Sequence, residues 1–225
     1  MDAAPVSQAR YDEWADWYEG YITGAAQSFT QRTAEILAQV LGPGTGPVLD
    51  LACGTGIYGQ ALSALGWTPF GVDLSIAQLR YARQRMPVVA AHAAALPVGA
   101  RTLAAVAAVL CHTDIDDYAA ACQALSPTLR KGGVFAHVGV HPCYVGAFAD
   151  RASPAQIIIT PGYWHRDRRF EASSPRGVRA KVGARHVPLG ELLETFVRAG
   201  LTIKRVTETG SPTPDILAVR CIRTS

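Results

Sequence analysis

Two carboxylates and a glycine turn are the residues of this chain best placed to do chemistry. Val48-Leu49-Asp50-Leu51-Ala52-Cys53-Gly54-Thr55-Gly56 is followed by Phe70-Gly71-Val72-Asp73-Leu74-Ser75. An apolar run with an acid, a glycine-rich turn, then a second apolar run ending in an acid describe the first βαβ unit of a nucleotide-binding sheet. Gly54 and Gly56 let the backbone turn sharply and leave room for a ligand where a Cβ would collide. Asp73, at the end of the second strand, is placed to accept hydrogen bonds from a ribose diol.

Asp50 chooses between two cofactor classes. The spacing Gly54-x-Gly56-x-x-Gly59 also fits the dinucleotide fingerprint, in which a pyrophosphate sits on the helix N-terminus past the turn. A carboxylate at Asp50 would repel that pyrophosphate. S-adenosylmethionine (SAM) has no phosphate, and its ammonium and sulfonium suit a nearby acid. The string resembles motif I of the class I SAM-dependent methyltransferases, roughly acid-x-Gly-x-Gly-x-Gly, with Ala52 in place of the first glycine. That resemblance implies SAM as cofactor and S-adenosylhomocysteine as product. A nicotinamide-dependent oxidoreductase is the alternative from the fingerprint, and a SAM-scaffolded reaction without methyl transfer, such as a cyclisation, is the alternative within the fold.

Two histidines are candidates for proton removal. His112 and His141 each follow a core strand at its carboxyl end, the end that faces the ligand crevice, where an imidazole can take a proton as the methyl transfers. His137 lies within a strand and reads as core. The string His112-x-Asp114-x-Asp116 admits a metal reading, but capping and dipole complementarity explain acids at a helix start, so no metal is assigned.

The elements that must position these residues alternate strand and helix. Strands are expected at 47–52, 68–73, 88–91, 103–110 and 134–140. The helices between them run from Tyr58 to Leu65, from Ser75 as N-cap to Arg85, and from Thr113 or Asp114 to Leu129. A helix at 188–199 and strands at 201–208 and 215–222 complete a doubly wound, Rossmann-like α/β fold. Its sheet has seven mostly parallel strands, with helices on both faces and a C-terminal antiparallel hairpin. Residues 8–40 read as a helical lid bearing Tyr11, Trp14, Tyr18 and Tyr21 on one face. Tyr11-Asp12-Glu13-Trp14-Ala15-Asp16-Trp17-Tyr18 resembles the N-terminal lid of the ubiquinone- and menaquinone-biosynthesis methyltransferases, which implies a tyrosine closing over the SAM carboxylate. Ala95-Leu96-Pro97 resembles that family's acid-rich string before Leu-Pro, which supplies a contact to the adenine amine; the usual aspartate falls on His92 here, and its imidazole or the Ala93 backbone would replace that contact. The candidate cofactor set is therefore Tyr11, Tyr18, Asp50, Ala52, Gly54, Gly56, Asp73, Leu74, His92, Ala93 and Leu110.

Residues 142–188 break the alternation and carry eight Arg/Lys against three acids, an excess of five in a chain whose net charge is +3. Tyr163, Trp164, Arg166 and Arg168 fall there as candidate substrate contacts, suited to a planar or anionic small molecule. The modest net charge argues against nucleic acid. At 225 residues and 49% hydrophobic content the chain is read as one globular domain over 1–225, with enough length for a full α/β core. No run is long and apolar enough to span a bilayer, and Met1-Asp2-Ala3-Ala4-Pro5 lacks the basic start of a signal peptide, so a cytoplasmic location is expected. Five cysteines without a CxxC pair argue against disulfides and structural zinc. Heavy use of Ala, Arg, Gly and Pro suggests a GC-rich bacterial genome.

Overall fold

The computed structural model describes residues 9–153, 156–171 and 177–224. The readings made above on Met1–Pro5, on residue 8 and on Arg176 lie outside the described residues. A single helical turn, Asp12–Trp14, leads into α1 (Ala15–Thr23) and α2 (Gln27–Leu41). The alternating core follows: β1 (Pro47–Leu51), α3 (Gly59–Ala64), β2 (Thr68–Asp73), α4 (Ile76–Ala82), β3 (Val88–Ala90), β4 (Leu103–Val109), α5 (Tyr118–Leu125) and β5 (Leu129–Val140). Two short strands, β6 (Ala149–Asp150) and β7 (Ile158–Ile159), and a short helix, α6 (Val178–Val182), occupy the irregular segment. The chain ends with α7 (Leu189–Arg198), β8 (Leu201–Thr209) and β9 (Ile216–Arg223).

Seven strands join in the order β3-β2-β1-β4-β5-β9-β8. The first five are parallel; β9 runs antiparallel between β5 and β8, so the terminal hairpin closes one edge of the sheet with β8 outermost. Chain progress reverses between β1 and β4, and in such sheets a crevice opens past the carboxyl ends of the two strands at that switch. Every residue of β4 is buried. Its alanines are poor strand formers, but their small side chains suit a central strand covered on both faces. On one face Leu49, Val106 and Phe135 pack with Leu192 and Phe196 of α7. On the other, Val48, Ala105 and Ala136 pack with Leu37 and Leu62 of α2 and α3. Phe135 and Phe196 meet edge to face at 5.3 Å between ring centroids, each fully buried and each worth about 1.5–3 kcal/mol of transfer free energy.

The local differences from the sequence reading have physical causes. The helical stretch expected over 8–40 is broken at Gly24, where a Cβ would lie 2.8 Å from the Gly20 carbonyl oxygen. That break lets α1 lie against α4 while α2 packs on the sheet. The helix after β4 starts at Tyr118 rather than at Thr113 or Asp114, because Asp117 is the residue that caps it, accepting from the Ala120 N–H at 2.8 Å. Ser75 caps α4 as expected, accepting from the Gln78 N–H at 3.2 Å. All five cysteines are free thiols. No helix among the described residues is long and apolar enough to cross a membrane.

Candidate active site

A cavity of about 230 Å³ lies at the carboxyl ends of β1, β2 and β4. Its wall is assembled from residues far apart in sequence. β1 and the turn after it supply Asp50, Ala52 and Gly54, and β2 supplies Asp73 with Leu74 and Ser75 beyond it. His92 and Ala93 follow β3, Leu110 and Cys111 follow β4, and Arg10, Tyr11 and Tyr18 come from the N-terminal segment. Of the eleven candidate cofactor residues, only Gly56 is missing from this wall.

Asp50 is the chemical centre of the cavity. It is 1% exposed, and its Oδ2 has no hydrogen-bond partner among the described residues. Burial, reinforced by the Asp73 charge, pushes its carboxyl up to about 7. A buried carboxylate without a partner is costly unless a cation completes it. On the same wall the Gln78 amide nitrogen, Nε2, is also buried without a partner. An orphan acceptor and an orphan donor on one wall complement the ammonium and the carboxylate of an amino-acid moiety.

Asp73 holds the turn as well as facing the cavity. Its Oδ2 accepts from the Gly54 N–H and its Oδ1 from the Ser75 N–H, both at 2.8 Å. An ionised carboxylate has about four acceptor positions, which leaves capacity for a ligand. Burial raises this carboxyl, while the N–H groups of Ser75 and Gly54 work against the rise. Gly54, at φ +54°, faces the cavity, where its missing side chain leaves space beside Tyr18 and Gln78. Gly56 has a different task from the one expected of it. A Cβ there would meet Ala82 at 2.9 Å and the Met86 methyl at 3.3 Å, so this glycine seats the turn against α4 and makes no room for a ligand. Ala52 (φ +54°) and Leu110 (φ +55°) are both non-glycine residues in the left-handed region, at the ends of β1 and β4 on the cavity wall. Such residues cost on the order of 1–3 kcal/mol each and persist where the surroundings fix them.

The N-terminal segment lies over this cavity. Tyr11 and Tyr18 pack edge to face at 5.3 Å, and burial holds both phenols above their usual range, so they remain neutral donors. Asp12 fastens the segment to α4, its Oδ1 accepting from the Ser75 hydroxyl at 2.7 Å and the Ala77 N–H at 3.3 Å. Asp116 takes a guanidinium from each side, Arg10 at 2.9 Å and Arg168 at 2.9 Å. Lys181 of α6 places its Nζ 4.0 Å from the Trp14 ring centroid and 4.8 Å from that of Trp17. Segment 9–23, the loop after β4 and the 142–188 segment are thus joined over one opening. Arg10, Asp114 and Asp116 line it, so two acids of the string after β4 face the opening, where the sequence suggests helix caps. Asp114 is the notable one: burial lifts its carboxyl to about 6 against the pull of Arg168, the Tyr11 hydroxyl and Arg10.

Several candidates are placed elsewhere. His112 is 1% exposed and packs against His137 and Tyr118 behind the cavity wall. Burial, with His186 nearby, pushes its pKa down to about 3, leaving it too weakly basic to take a proton near neutrality. His141 sits at the opposite side of β5, where its Nδ1 accepts from the Cys143 N–H at 3.1 Å and its Nε2 bonds Glu208 at 2.6 Å. Both ring nitrogens of His141 are used, and neither histidine lines the cavity, so neither is placed to act as the expected base. His92 stays on the wall, but its Nδ1 accepts from the Ala94 N–H at 3.1 Å. The neutral ring then carries its proton on Nε2, a donor that suits an adenine ring nitrogen and not the adenine amine. Tyr163 accepts from the Leu189 N–H at 3.0 Å, Trp164 is 71% exposed, and Arg166 pairs with Glu191. Arg168 is committed to Asp116 and to the carbonyls of Asp114 and Val182. None of these four lines the cavity; sequence shows the charge of an arginine but not the carboxylate that consumes it.

The strand order and the site at the β1/β4 switch define a Rossmann-like methyltransferase fold. Residues 48–133 match the family model described as a methyltransferase domain. The Bacillus subtilis (strain 168) protein YqeM, a methyltransferase by name, is 32% identical over 81 residues, which are 36% of this chain. The matched region spans a quarter (25%) of the length of that relative. Among solved structures, a SAM-dependent methyltransferase from Mesorhizobium loti superposes with a TM-score of 0.67 at 21% identity, covering 86% of this chain and 96% of its own. Geranyl diphosphate C-methyltransferase from Streptomyces coelicolor A3(2), solved with Mg2+, geranyl diphosphate and S-adenosylhomocysteine, superposes with a TM-score of 0.64 at 14% identity, covering 86% and 77%. At these identities the likeness is one of fold.

Proposed function

We propose that the protein is a SAM-dependent methyltransferase acting on a planar or anionic small molecule, the acceptor reaching the cavity between the N-terminal segment and the 142–188 segment. The observation that carries this reading is that the cavity wall holds a buried Asp50 carboxylate oxygen, Oδ2, and a buried Gln78 amide nitrogen, Nε2, both without a partner. Asp50 would hold the ammonium, Gln78 the carboxylate, Asp73 the ribose hydroxyls, and Ala93 and His92 the adenine edge. When bound, SAM supplies a methyl group made electrophilic by its sulfonium. The chain's own contribution is positioning and exclusion of water: Tyr11 and Tyr18 cover the opening, and Asp116 fastens the cover. Where the acceptor must lose a proton, Asp114 is the group on the wall able to take it, being ionised above about 6 and in hydrogen-bond contact with Tyr11. Mass spectrometry of an acceptor incubated with enzyme and SAM tests the reading. A product heavier by one methylene supports it, and turnover to an isomer of unchanged mass would instead support the scaffold alternative.

Two consequences concern rate and closure. The rate of methyl transfer is expected to rise with pH through about 6 and then level, because the base acts only when Asp114 is ionised. Asp114→Asn should lose that limb of the pH–rate profile; a limb that survives belongs to another group. Asp116→Ala removes the shared partner of Arg10 and Arg168. Since Asp116 is 58% exposed, the two pairs together are worth only about 0.5–1 kcal/mol. Stopped-flow measurement should show S-adenosylhomocysteine leaving about two- to fivefold faster, with less dependence on salt than in the wild type.

A further inference from the structure

A second cavity, of about 180 Å³, lies within the 142–188 segment. It is smaller than the roughly 300–1,000 Å³ of sites for drug-sized ligands, and so suits a single ring with its substituents. One wall is aromatic: Phe148 packs against His186 at 4.7 Å and against Tyr163 at 5.3 Å between ring centroids. The other carries three arginines, Arg169, Arg179 and Arg185, and one carboxylate, Glu171. Arg169 is consumed by Asp167 at 2.8 Å, by Glu171 at 3.3 Å and by the His165 ring. Arg179 is not. It sits half-buried, and among the described residues its guanidinium has no hydrogen bond or ion pair; the neighbouring stretch 172–176 contains no acid. The buried Nε2 of His186 has no partner either.

An unpaired guanidinium partly withdrawn from water is costly unless an anion completes it. Burial pulls the Arg179 pKa below its usual value, and the Asp114 charge is close enough to oppose that pull. The two cavities share no lining residue, and the loop after β4 lies between them. The Arg185 N–H donates to the Thr113 carbonyl at 2.9 Å, one residue from Asp114 on the wall of the first cavity. We propose that the second cavity is the acid-binding subsite for the acceptor: Arg179 pairs with the carboxylate of a planar aromatic acid whose ring lies along Phe148. His186, neutral because burial and the nearby Arg166 and Arg179 push it down to about 4, adds a hydrogen bond without competing charge. Arg179, rather than Arg166 and Arg168, which pair with Glu191 and Asp116, then sets acceptor charge specificity. The proposal rests on the methyltransferase reading for the identity of the bound acid as the acceptor.

The test titrates benzoate and its neutral isostere benzamide into protein saturated with S-adenosylhomocysteine, followed by ligand-observed NMR. Benzoate is expected to bind at least about tenfold more tightly than benzamide. That preference should vanish in Arg179→Gln and persist in Arg198→Gln, an arginine paired on the outer face of α7 with Glu194. Affinity for S-adenosylhomocysteine should stay unchanged in both variants, which also reports that they fold. Equal affinity for the two probes, binding of neither, or a preference that survives Arg179→Gln would overturn the subsite. If S-adenosylhomocysteine fails to bind, the methyltransferase reading falls, while the benzoate preference measured without it still decides whether Arg179 holds an acid.

Discussion

Asp50→Asn is expected to weaken S-adenosylhomocysteine binding by about tenfold to a hundredfold, the worth of one charge-assisted hydrogen bond of roughly 1.5–3 kcal/mol. The variant should also lose a pH dependence that the wild type shows. In the free protein the Asp50 carboxyl is raised to about 7, so at lower pH it is neutral and offers no charge to an ammonium. Wild-type affinity should therefore fall as pH drops below about 7, with proton release on binding near that value, seen as buffer-dependent enthalpy in calorimetry. The sign for stability is the opposite. With the folded pKa above that of the unfolded chain, the unfolded state gives up this proton first, and Asp50 costs the ligand-free protein stability as pH rises from about 4 to about 7. Asp50→Asn without ligand should accordingly melt higher than the wild type near pH 8, by a margin that shrinks on acidification. An affinity that ignores both pH and this substitution would remove Asp50 from the site.

Asp73→Ala should be the more damaging change, because one side chain serves fold and ligand together. The ribose loses its charged acceptor, again roughly 1.5–3 kcal/mol, and the N–H groups of Gly54 and Ser75 lose the oxygens that hold them at 2.8 Å. Binding should fall by about a hundredfold or more, and the melting temperature should fall with it. Asp73→Asn separates the two effects, since one amide oxygen still anchors the turn while the charge is gone. Its melting temperature should recover most of the loss, and its affinity only part. If calorimetry shows Asp73→Ala binding S-adenosylhomocysteine as tightly as the wild type, the ribose assignment is wrong.

What could be read from the sequence was local. Asp50, Gly54 and Asp73 fall within one strand–turn–helix–strand unit, where spacing fixes which side chains reach the carboxyl end of the sheet. Gly56 shows the limit: a glycine at positive φ looks the same in sequence whether its missing Cβ spares a ligand or, as here, Ala82 and Met86. His112 shows another. Its place after β4 gives the correct end of the sheet, but Leu110 in the left-handed region turns the chain, and the imidazole packs inward against His137. Asp114 and Asp116 looked like caps because acids before a helix usually are; only tertiary packing brings Arg10 and Arg168 to Asp116 from opposite directions. The excess charge of segment 142–188 was visible, whereas the distinction between paired Arg166 and unpaired Arg179 depends on contacts to α7 and the loop after β4.

The central claim is that the cavity at β1, β2 and β4 takes a zwitterionic nucleoside and not a dinucleotide, and parallel calorimetric titrations of the purified protein with S-adenosylhomocysteine and with NADH test it most directly. S-adenosylhomocysteine should bind saturably near pH 8, more weakly on acidification through about 7, and NADH, whose pyrophosphate would face the Asp50 carboxylate, should not bind. Saturable NADH binding without S-adenosylhomocysteine binding would contradict the claim.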